Sequence, residues 1–215
     1  MQLKISRKRQ STKVGNGAEA STERYAKGTL KREAILTGAM KFLADGTKHN
    51  PSLREIGNAL DIEPAHILYY FTSRDELLLA VIELWDSGER ELEVHARNAG
   101  LSALDAYVDA IARNVDRPGI VHLYLSLAIE AASPEHPANG FFAQRFDWVQ
   151  RHLTDAVQRE QAENLISPEL DAEHEARMLI ALADGLQLQS LVDPTVDAPG
   201  HLALTIDSLR RRKKA

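Results

Sequence analysis

Apolar residues recur every three or four positions along most of the chain, which is the spacing of one face of an α-helix. No segment alternates between apolar and polar residues in the manner of a half-buried β-strand. We therefore predict an all-α protein, in which a small N-terminal unit of three helices precedes a larger helical domain.

Three helix beginnings fall close together in the first third of the chain. Ser52 and Glu55 have the S-x-x-E spacing of a capping box, in which the two side chains satisfy backbone N–H groups of the first turn. Pro64 stands where a second helix begins, because a proline at the first helical position loses no hydrogen bond. Ser73 and Glu76 repeat the capping-box spacing and open a longer helix.

The middle helix of these three, 64–70, is only about two turns long, and a helix of that length is not stable in isolation. A short helix held between two others is what a helix-turn-helix inserts into the major groove of DNA. The spacing therefore predicts a DNA-binding unit.

The run from Ile62 to Leu77, IEPAHILYYFTSRDEL, resembles the recognition helix and the next helix start of TetR-type bacterial transcriptional regulators. The resemblance extends over residues 29–78 and covers the N-terminal domain of that family. Two positions depart from the family pattern, since Glu63 replaces a serine N-cap and Leu68 replaces a tyrosine that usually reaches a phosphate. Arg74 replaces a lysine and keeps its positive charge.

The resemblance also implies which side chains face DNA. Residues that open a recognition helix approach base edges, and residues around it contact phosphates and set the register. We predict that the base contacts come from Pro64, Ala65 and His66. The phosphate contacts are expected from Arg54, Tyr69, Tyr70 and Arg74.

Glycine and proline signals divide the rest of the chain into further helices. The helix predicted at 120–132 is apolar nearly all round, which is typical of a buried helix. The predicted helices are, in order, 29–44, 52–60, 64–70, 73–98, one that carries 104–115, 120–132, 141–164, 171–192 and 200–211.

The segment from Leu170 to Pro194, LDAEHEARMLIALADGLQLQSLVDP, resembles the closing helix of a TetR subgroup that ends in DGLxLQxLLDP. In that family this helix and the long one before it pair with their copies in a second subunit, which implies a homodimer. One face carries mostly small side chains that permit close approach, although it could instead pack inside its own subunit. The predicted interface residues are Ala176, Ile180, Ala183, Gln187 and Ser190.

A ligand cavity in residues 76–215 is a further implication of the resemblance. His122, Ser126 and Glu130 form a polar stripe on the otherwise apolar helix 120–132, and such a stripe either faces water or orients a ligand. Aromatic side chains are the other candidates for the cavity, with the apolar core as their alternative location. These aromatic candidates are Trp85, Tyr107, Phe146, Trp148 and His152.

Composition removes several function classes. The chain has no cysteine, so disulfides and thiolate chemistry are excluded. We find no catalytic or nucleotide-binding motif and no His cluster at ligand spacing, and we expect no catalytic residue, no cofactor and no metal site. No apolar run approaches the length of a membrane span and MQLKISRKRQ has no signal-peptide core, so we expect a cytoplasmic protein without a membrane partner.

Charge is distributed unevenly along a chain whose net charge is −5. Residues 1–28 carry seven basic and two acidic side chains and little apolar periodicity, so we expect a disordered basic arm there. The arm either follows the DNA backbone or acts only as a solubilising tail.

The sequence as a whole predicts a TetR-like DNA-binding transcriptional regulator. We expect a disordered arm at 1–28, a helix-turn-helix domain at 29–75, and a ligand-binding and dimerisation domain at 76–215. Its partners would be double-stranded operator DNA, a small-molecule effector and a second copy of itself, and repression relieved by the effector is what the resemblance implies. The alternatives are a helical enzyme or ligand carrier that retains a helix-turn-helix-like element, and a purely structural dimer module.

Overall fold

A computed structural model of the chain describes residues 16–44, 46 and 51–211, with side chains from residue 28 onwards. This part of the chain contains helices and no strand, which confirms the predicted all-α class. The helices are α1 (Asn16–Ala44), α2 (Leu53–Leu60), α3 (Pro64–Tyr70), α4 (Arg74–Asn98), α5 (Ala103–Val115), α6 (Pro118–Glu130), α7 (Asn139–Ala162), α8 (Ala172–Val192) and α9 (Ala198–Arg211).

The capping box predicted at the start of α2 is present, and the one predicted at the start of α4 is altered. The Ser52 hydroxyl accepts a hydrogen bond from the Glu55 N–H at 3.3 Å, and the Glu55 carboxylate accepts one from the Ser52 N–H at 2.9 Å. At α4, Ser73 accepts from the Glu76 N–H at 3.0 Å. The Glu76 carboxylate accepts instead from the Thr72 N–H at 2.7 Å, so the second capping box is shifted by one residue.

The turn between α2 and α3 depends on close backbone approach. Asp61 ends α2 in the left-handed conformation, with φ 54°. A Cβ atom on Gly57 would lie 2.5 Å from the Ile62 carbonyl oxygen, so only glycine fits at this position. The angle between the two helices is thereby set by the backbone itself.

The predicted start of the first helix is wrong. Helix α1 begins at Asn16, so residues 16–28 are helical and not part of a disordered arm. This stretch has little apolar periodicity, but it contains three alanines and two glutamates, which favour helices. The predicted arm residues 1–15 lie outside the described chain. Three later helices begin two residues before their predicted starts, at Pro118, Asn139 and Ala198.

Two apolar clusters hold the helices together. The first, which we call the head cluster, joins α1–α3 to α4, α6 and the start of α7, and at its centre Ile35, Ile56, Ile67 and Phe71 are fully buried. The second joins α5, α7, α8 and α9 around side chains such as Leu153. Helix α4 continues from the head cluster to the wall of a cavity that lies among α4–α8.

Candidate DNA-reading surface and ligand cavity

Helix α3 presents one face to solvent and one to the head cluster. Ile67 is fully buried, whereas Ala65 and His66 are exposed and Tyr69 is 80% exposed. Pro64 is half-buried at the first position of the helix. The three side chains predicted to read bases therefore lie together at the start of α3, although Pro64 offers only part of its ring.

The predicted phosphate contacts divide into two groups. Arg54 and Tyr69 are exposed and available to a ligand. Tyr70 is half-buried, and its ring lies against those of His66 and Tyr69 at centroid distances of 5.6 and 5.0 Å. Arg74 donates from Nε to the Pro51 carbonyl at 2.8 Å, so it fastens the start of α4 to the start of α2. Tyr70 and Arg74 thus have structural contacts that the sequence did not indicate.

A cavity with a volume of about 70 Å³ is bounded by five helices, α4–α8, and is the candidate ligand site. Four of the predicted ligand residues line it, namely Trp85, Tyr107, Trp148 and His152. The charged and amide side chains of its wall are Asp86, Glu89, Arg90, Glu93, Asn114, Arg145, Asp184 and Gln187. Of these residues only Gln187 was among those predicted from the sequence, and it was predicted for a dimer interface.

The polar stripe of α6 is not on this cavity, which corrects the prediction for His122, Ser126 and Glu130. Tyr124 is the residue of α6 that lines the cavity. Because each residue turns a helix by about 100°, Tyr124 points roughly opposite to the stripe. Phe146 is also absent from the wall and packs, partly buried, against the head cluster.

Arg145 organises one end of the cavity. Its Nε donates to Asp86 at 2.8 Å and its Nη1 donates to the Tyr124 hydroxyl at 2.9 Å. Asp86 also pairs with Arg90 at 2.6 Å. Burial raises the pKa of the Tyr124 hydroxyl above its ordinary value, so Tyr124 remains a neutral hydrogen-bonding group.

Arginine side chains of the protein lie against two aromatic rings of the wall. The Arg90 guanidinium lies 4.3 Å from the centroid of the Trp148 ring, and the His152 ring stacks on the same indole at 5.0 Å. Arg145 lies 4.6 Å from the centroid of Tyr124. His152 is in turn hydrogen-bonded to Glu93. These contacts fix the rings and reduce the aromatic surface open to a ligand.

Several polar groups of the wall have no protein partner within the described residues. The Asp184 carboxylate makes no hydrogen bond or ion pair there, and burial raises its pKa to about 6 against the opposing effect of Arg145. The Trp85 Nε1–H and the Asn114 Oδ1 are buried without a hydrogen-bond partner. Buried polar groups are rarely left in this state unless water or a ligand completes them. The cavity wall therefore contains polar groups that no described residue of the protein satisfies.

The face of α8 predicted to form a dimer packs inside the chain, which corrects that prediction. Ala176, Ile180, Ala183 and Gln187 are buried, and Gln187 accepts from the Asn114 amide at 2.8 Å. Ser190, the fifth predicted residue, is half-buried. The outward face of α8 is instead apolar at helical spacing, with the exposed side chains Met178, Leu188 and Val192.

In the part of the chain that the structure describes, no group of three or more His, Cys, Asp or Glu side chains is arranged to hold a metal ion. No helix in the same part combines the length and the apolar character needed to span a membrane.

Comparison with known families gives two matches along the chain. Residues 35–81 match the family described as bacterial regulatory proteins, tetR family. Residues 100–211 match the family described as BetI-type transcriptional repressor, C-terminal. The HTH-type transcriptional regulator BetI of Rhizobium meliloti (strain 1021) is 26% identical over 196 residues, which are 86% of this chain and 91% of that protein.

Solved structures of regulators share the fold at low sequence identity. One from Saccharomonospora viridis, in complex with choline, is 19% identical with a TM-score of 0.70, covering 86% of this chain and 97% of that chain. The TetR-family regulator SCO4454 of Streptomyces coelicolor is 19% identical with a TM-score of 0.67, covering 93% and 96%. Thermus thermophilus FadR, in complex with lauroyl-CoA, is 17% identical with a TM-score of 0.56, covering 83% and 92%. At such identity the likeness establishes the fold alone.

Proposed function

This chain belongs to the TetR family of bacterial transcriptional regulators, and on that premise we propose that the cavity among α4–α8 is where its effector binds. It is a DNA-binding regulator with a BetI-type repressor domain and not an enzyme. An effector in this cavity lowers the affinity of the regulator for its operator.

The observation that carries the assignment is a cavity whose wall holds three polar groups without a protein partner among the described residues. The Trp85 N–H, the Asn114 carbonyl oxygen and the Asp184 carboxylate have no partner among the described residues. An unpaired buried polar group costs about 1–3 kcal/mol. A ligand that satisfies these groups recovers that free energy, and a conformation that closes on the ligand is stabilised by it.

Two helices link the cavity to the DNA-reading unit. Helix α4 packs Leu77 and Leu78 into the head cluster and Trp85 against the cavity. Helix α6 starts against α1, where a Cβ atom on Gly119 would lie 1.8 Å from the Leu43 carbonyl oxygen. A shift of either helix on ligand binding therefore moves the reading unit, and a coupling free energy of about 1–3 kcal/mol is typical of such linkage.

The size of the cavity favours a small effector. A volume of about 70 Å³ corresponds to roughly five to seven water-sized spheres. Among the relatives of known structure, one is in complex with choline and another with lauroyl-CoA. We propose an effector closer in size to choline, because an acyl chain would require the cavity to expand severalfold.

The regulator acts as a homodimer in this proposal, with α7 and α8 at the interface and membership of the DGLxLQxLLDP subgroup. The outward stripe of α8, which includes Met178, Leu188 and Val192, supplies the apolar surface for it. A two-fold dimer would set the two α3 helices about 35 Å apart on a palindromic operator. Sedimentation as a monomer at micromolar concentration would contradict this part.

The remaining assignments follow the family. The DNA-binding domain comprises 29–75, to which the helical stretch 16–28 is now added, and the effector and dimer domain comprises 76–215. Pro64, Ala65 and His66 read bases, while Arg54 and Tyr69, with smaller contributions from Tyr70 and Arg74, contact phosphates. A regulator with these contacts works in the cytoplasm, where the chromosome is accessible.

A cavity-filling variant tests the proposed function. Ala110 lines the cavity, whereas Ala143 is an exposed residue of α7 outside it, so Ala110→Leu and Ala143→Leu form a matched pair. We expect both variants to bind a duplex from upstream of the gene, and the small-molecule fraction of the host cell to release wild type and Ala143→Leu but not Ala110→Leu. Equal release of all three proteins would place the effector elsewhere.

A further inference from the structure

We propose that the effector is a small protonated amine that also carries a hydroxyl group, and that its ammonium N–H donates to Asp184. This inference rests on the proposed function, since it names the ligand class of the same cavity. It is carried by the charge balance of the wall, by the occupied aromatic rings and by the hydrogen-bonding groups that remain open.

The cavity wall is acidic. Four carboxylates and two guanidinium groups line it, with His152 as a further titratable group. The carboxylates are Asp86, Glu89, Glu93 and Asp184, and the guanidinium groups belong to Arg90 and Arg145. An excess of negative charge in a low-dielectric cleft attracts a cation and repels an anion. Because Arg113 and Arg117 outside the wall offset the charge of Glu89, the case for a cationic ligand depends on which carboxylate lacks an ion pair.

Only one of these carboxylates lacks a protein partner in the part of the chain that is described. Asp86 pairs with Arg145 and Arg90, and Glu93 is hydrogen-bonded to His152. Glu89 pairs with Arg113 at 2.9 Å and with Arg117 at 3.5 Å, and both of these arginines lie outside the cavity wall. Asp184 makes no such contact with a described residue, although the charge of Arg145 acts on it from a greater distance, so we assign the ammonium group of the ligand to Asp184.

The open carboxylate of Asp184 can accept a hydrogen bond. A protonated amine has an N–H group that can donate it, whereas a fully methylated ammonium has none. A quaternary ammonium is recognised mainly by several aromatic faces around it. Here Trp148 is engaged by Arg90 and His152, and Tyr124 by Arg145, so these two rings offer little free face to a quaternary ammonium. An N–H group gains a charge-assisted hydrogen bond to Asp184 that an N-methyl group cannot make.

Two other open groups indicate a hydroxyl on the ligand. The Trp85 Nε1–H is a donor without an acceptor, and its residue is 5% exposed. The Asn114 Oδ1 is an acceptor without a donor, and its residue is 6% exposed. A hydroxyl accepts from one and donates to the other or to a shared water. An amino alcohol of about four to seven heavy atoms has this set of groups and fits the cavity volume.

Ethanolamine and choline are a matched pair of probes, because they share a skeleton and differ in whether the nitrogen carries N–H or methyl groups. We expect isothermal titration of the wild-type protein to give ethanolamine an affinity at least about tenfold higher than choline, which is the effect of one hydrogen bond to a charged group. Equal or tighter binding of choline overturns the assignment, and so does the absence of ethanolamine binding at millimolar concentration.

Variants identify the counter-ion. Asp184→Asn should weaken ethanolamine binding by about 10–100-fold, which is the range for a charge-assisted bond. Asp109→Asn, at an exposed residue of α5 away from the wall, should leave binding unchanged. If Asp184→Asn does not fold, the comparison of the two probes on the wild-type protein still decides the ligand class.

A separate readout distinguishes this inference from the proposed function. Fluorescence anisotropy of a labelled operator duplex should show release by ethanolamine in the wild type. Binding of ethanolamine without any change in operator affinity would contradict the proposed effector function and leave the ligand class standing. Release of the operator by choline alone would contradict the ligand class and leave the proposed function standing.

Discussion

The head cluster and the ligand cavity are built from opposite kinds of interior. In the head, Ile35, Ile56, Ile67 and Phe71 are fully buried against one another. Every buried polar or charged side chain of the described residues lies at position 86 or beyond, and Asp86, Asn114 and Gln187 among them line the cavity. The head is therefore closed by apolar packing, whereas the cavity wall is held by ion pairs and hydrogen bonds that are only partly satisfied.

This difference assigns separate physical roles to the two regions. Apolar packing at interior density resists deformation, so the angle of α3 to its neighbours is fixed. Polar groups that lack partners cost free energy until a ligand supplies them, so the cavity region has the more adjustable conformation. We therefore expect a rigid DNA-binding unit whose position is controlled by a more adjustable cavity region.

The largest expected effect is the loss of the head core. Phe71 is fully buried, and Phe71→Ala should lower the free energy of unfolding by about 3–5 kcal/mol and abolish operator binding. Leu68→Ala, at a 44% exposed position of α3, should change stability by less than about 0.5 kcal/mol. Urea unfolding measures both, and a small loss for Phe71→Ala would show that the head is not a packed core.

The contribution of Asp184 to folding stability should depend on pH in the opposite sense from that of a salt-bridged carboxylate. Burial raises the pKa of Asp184 from 3.8 to about 6, so the folded protein holds this proton more tightly than the unfolded chain. Stability associated with this group is therefore lost as the pH rises from about 4 to about 6. The titratable groups that interact electrostatically with Asp184 are Tyr107 on α5, Tyr124 on α6 and Arg145 on α7.

Asp184→Asn tests that response. Without ligand, the variant should be more stable than the wild type by on the order of 2 kcal/mol at pH 7.5 and should not differ from it near pH 4. Thermal unfolding across this pH range measures the difference. A variant that is less stable at pH 7.5 would mean that the carboxylate has a stabilising partner and that the cavity is complete without a ligand.

The exposed residues of α2 and α3 should separate into those that contact bases and those that contact phosphates. His66→Ala should reduce the preference for operator over unrelated DNA by about 1–3 kcal/mol, because one base contact is lost, and leave non-specific binding almost intact. Arg54→Gln should weaken binding to all sequences alike and reduce the salt slope by about one. Competition titrations over a salt series distinguish the two, and uniform weakening by His66→Ala would contradict its role as a reader.

The smallest effect concerns a helix cap in the head. Ser52→Ala removes the side chain that caps α2 and should cost about 1 kcal/mol of stability. Ser87→Ala removes a hydroxyl within α4 that only donates to the Leu84 carbonyl, and should cost less than about 0.5 kcal/mol. Calorimetry of the two variants tests whether local capping contributes to the rigidity of the reader.

The two regions also differed in how far their structure could be predicted from sequence. Helices α2 and α3 and the start of α4 depend on signals within four residues of one another, such as Ser52 with Glu55 and proline at position 64, so these boundaries were predicted to within one residue, whereas the start of α1 has no such signal and was wrong. The cavity depends on contacts such as Arg145 with Asp86, 59 residues apart, and Asn114 with Gln187, 73 residues apart. Helical periodicity carries no information about such pairs.

The error on α8 has a simple physical origin. This helix has small residues on two faces, Ala176 and Ala183 on one and Ala181 and Gly185 on the other. Periodicity shows that either face permits close approach, but it does not show which face meets the same chain. The carboxylate of Asp184, which lies between the buried residues Ala183 and Leu186, was a signal in the sequence for a polar cavity, because a carboxylate is seldom placed among buried apolar residues without a function.

The central claim is that the cavity and the DNA-reading helix are energetically coupled, and reciprocity tests it most directly. Ethanolamine affinity should be measured by titration calorimetry on the free protein and on the protein saturated with operator duplex. We expect ethanolamine to bind the operator complex about 5–150-fold more weakly than the free protein. The factor should equal the one by which ethanolamine weakens operator binding. Equal affinity of the free and the operator-bound protein would contradict it.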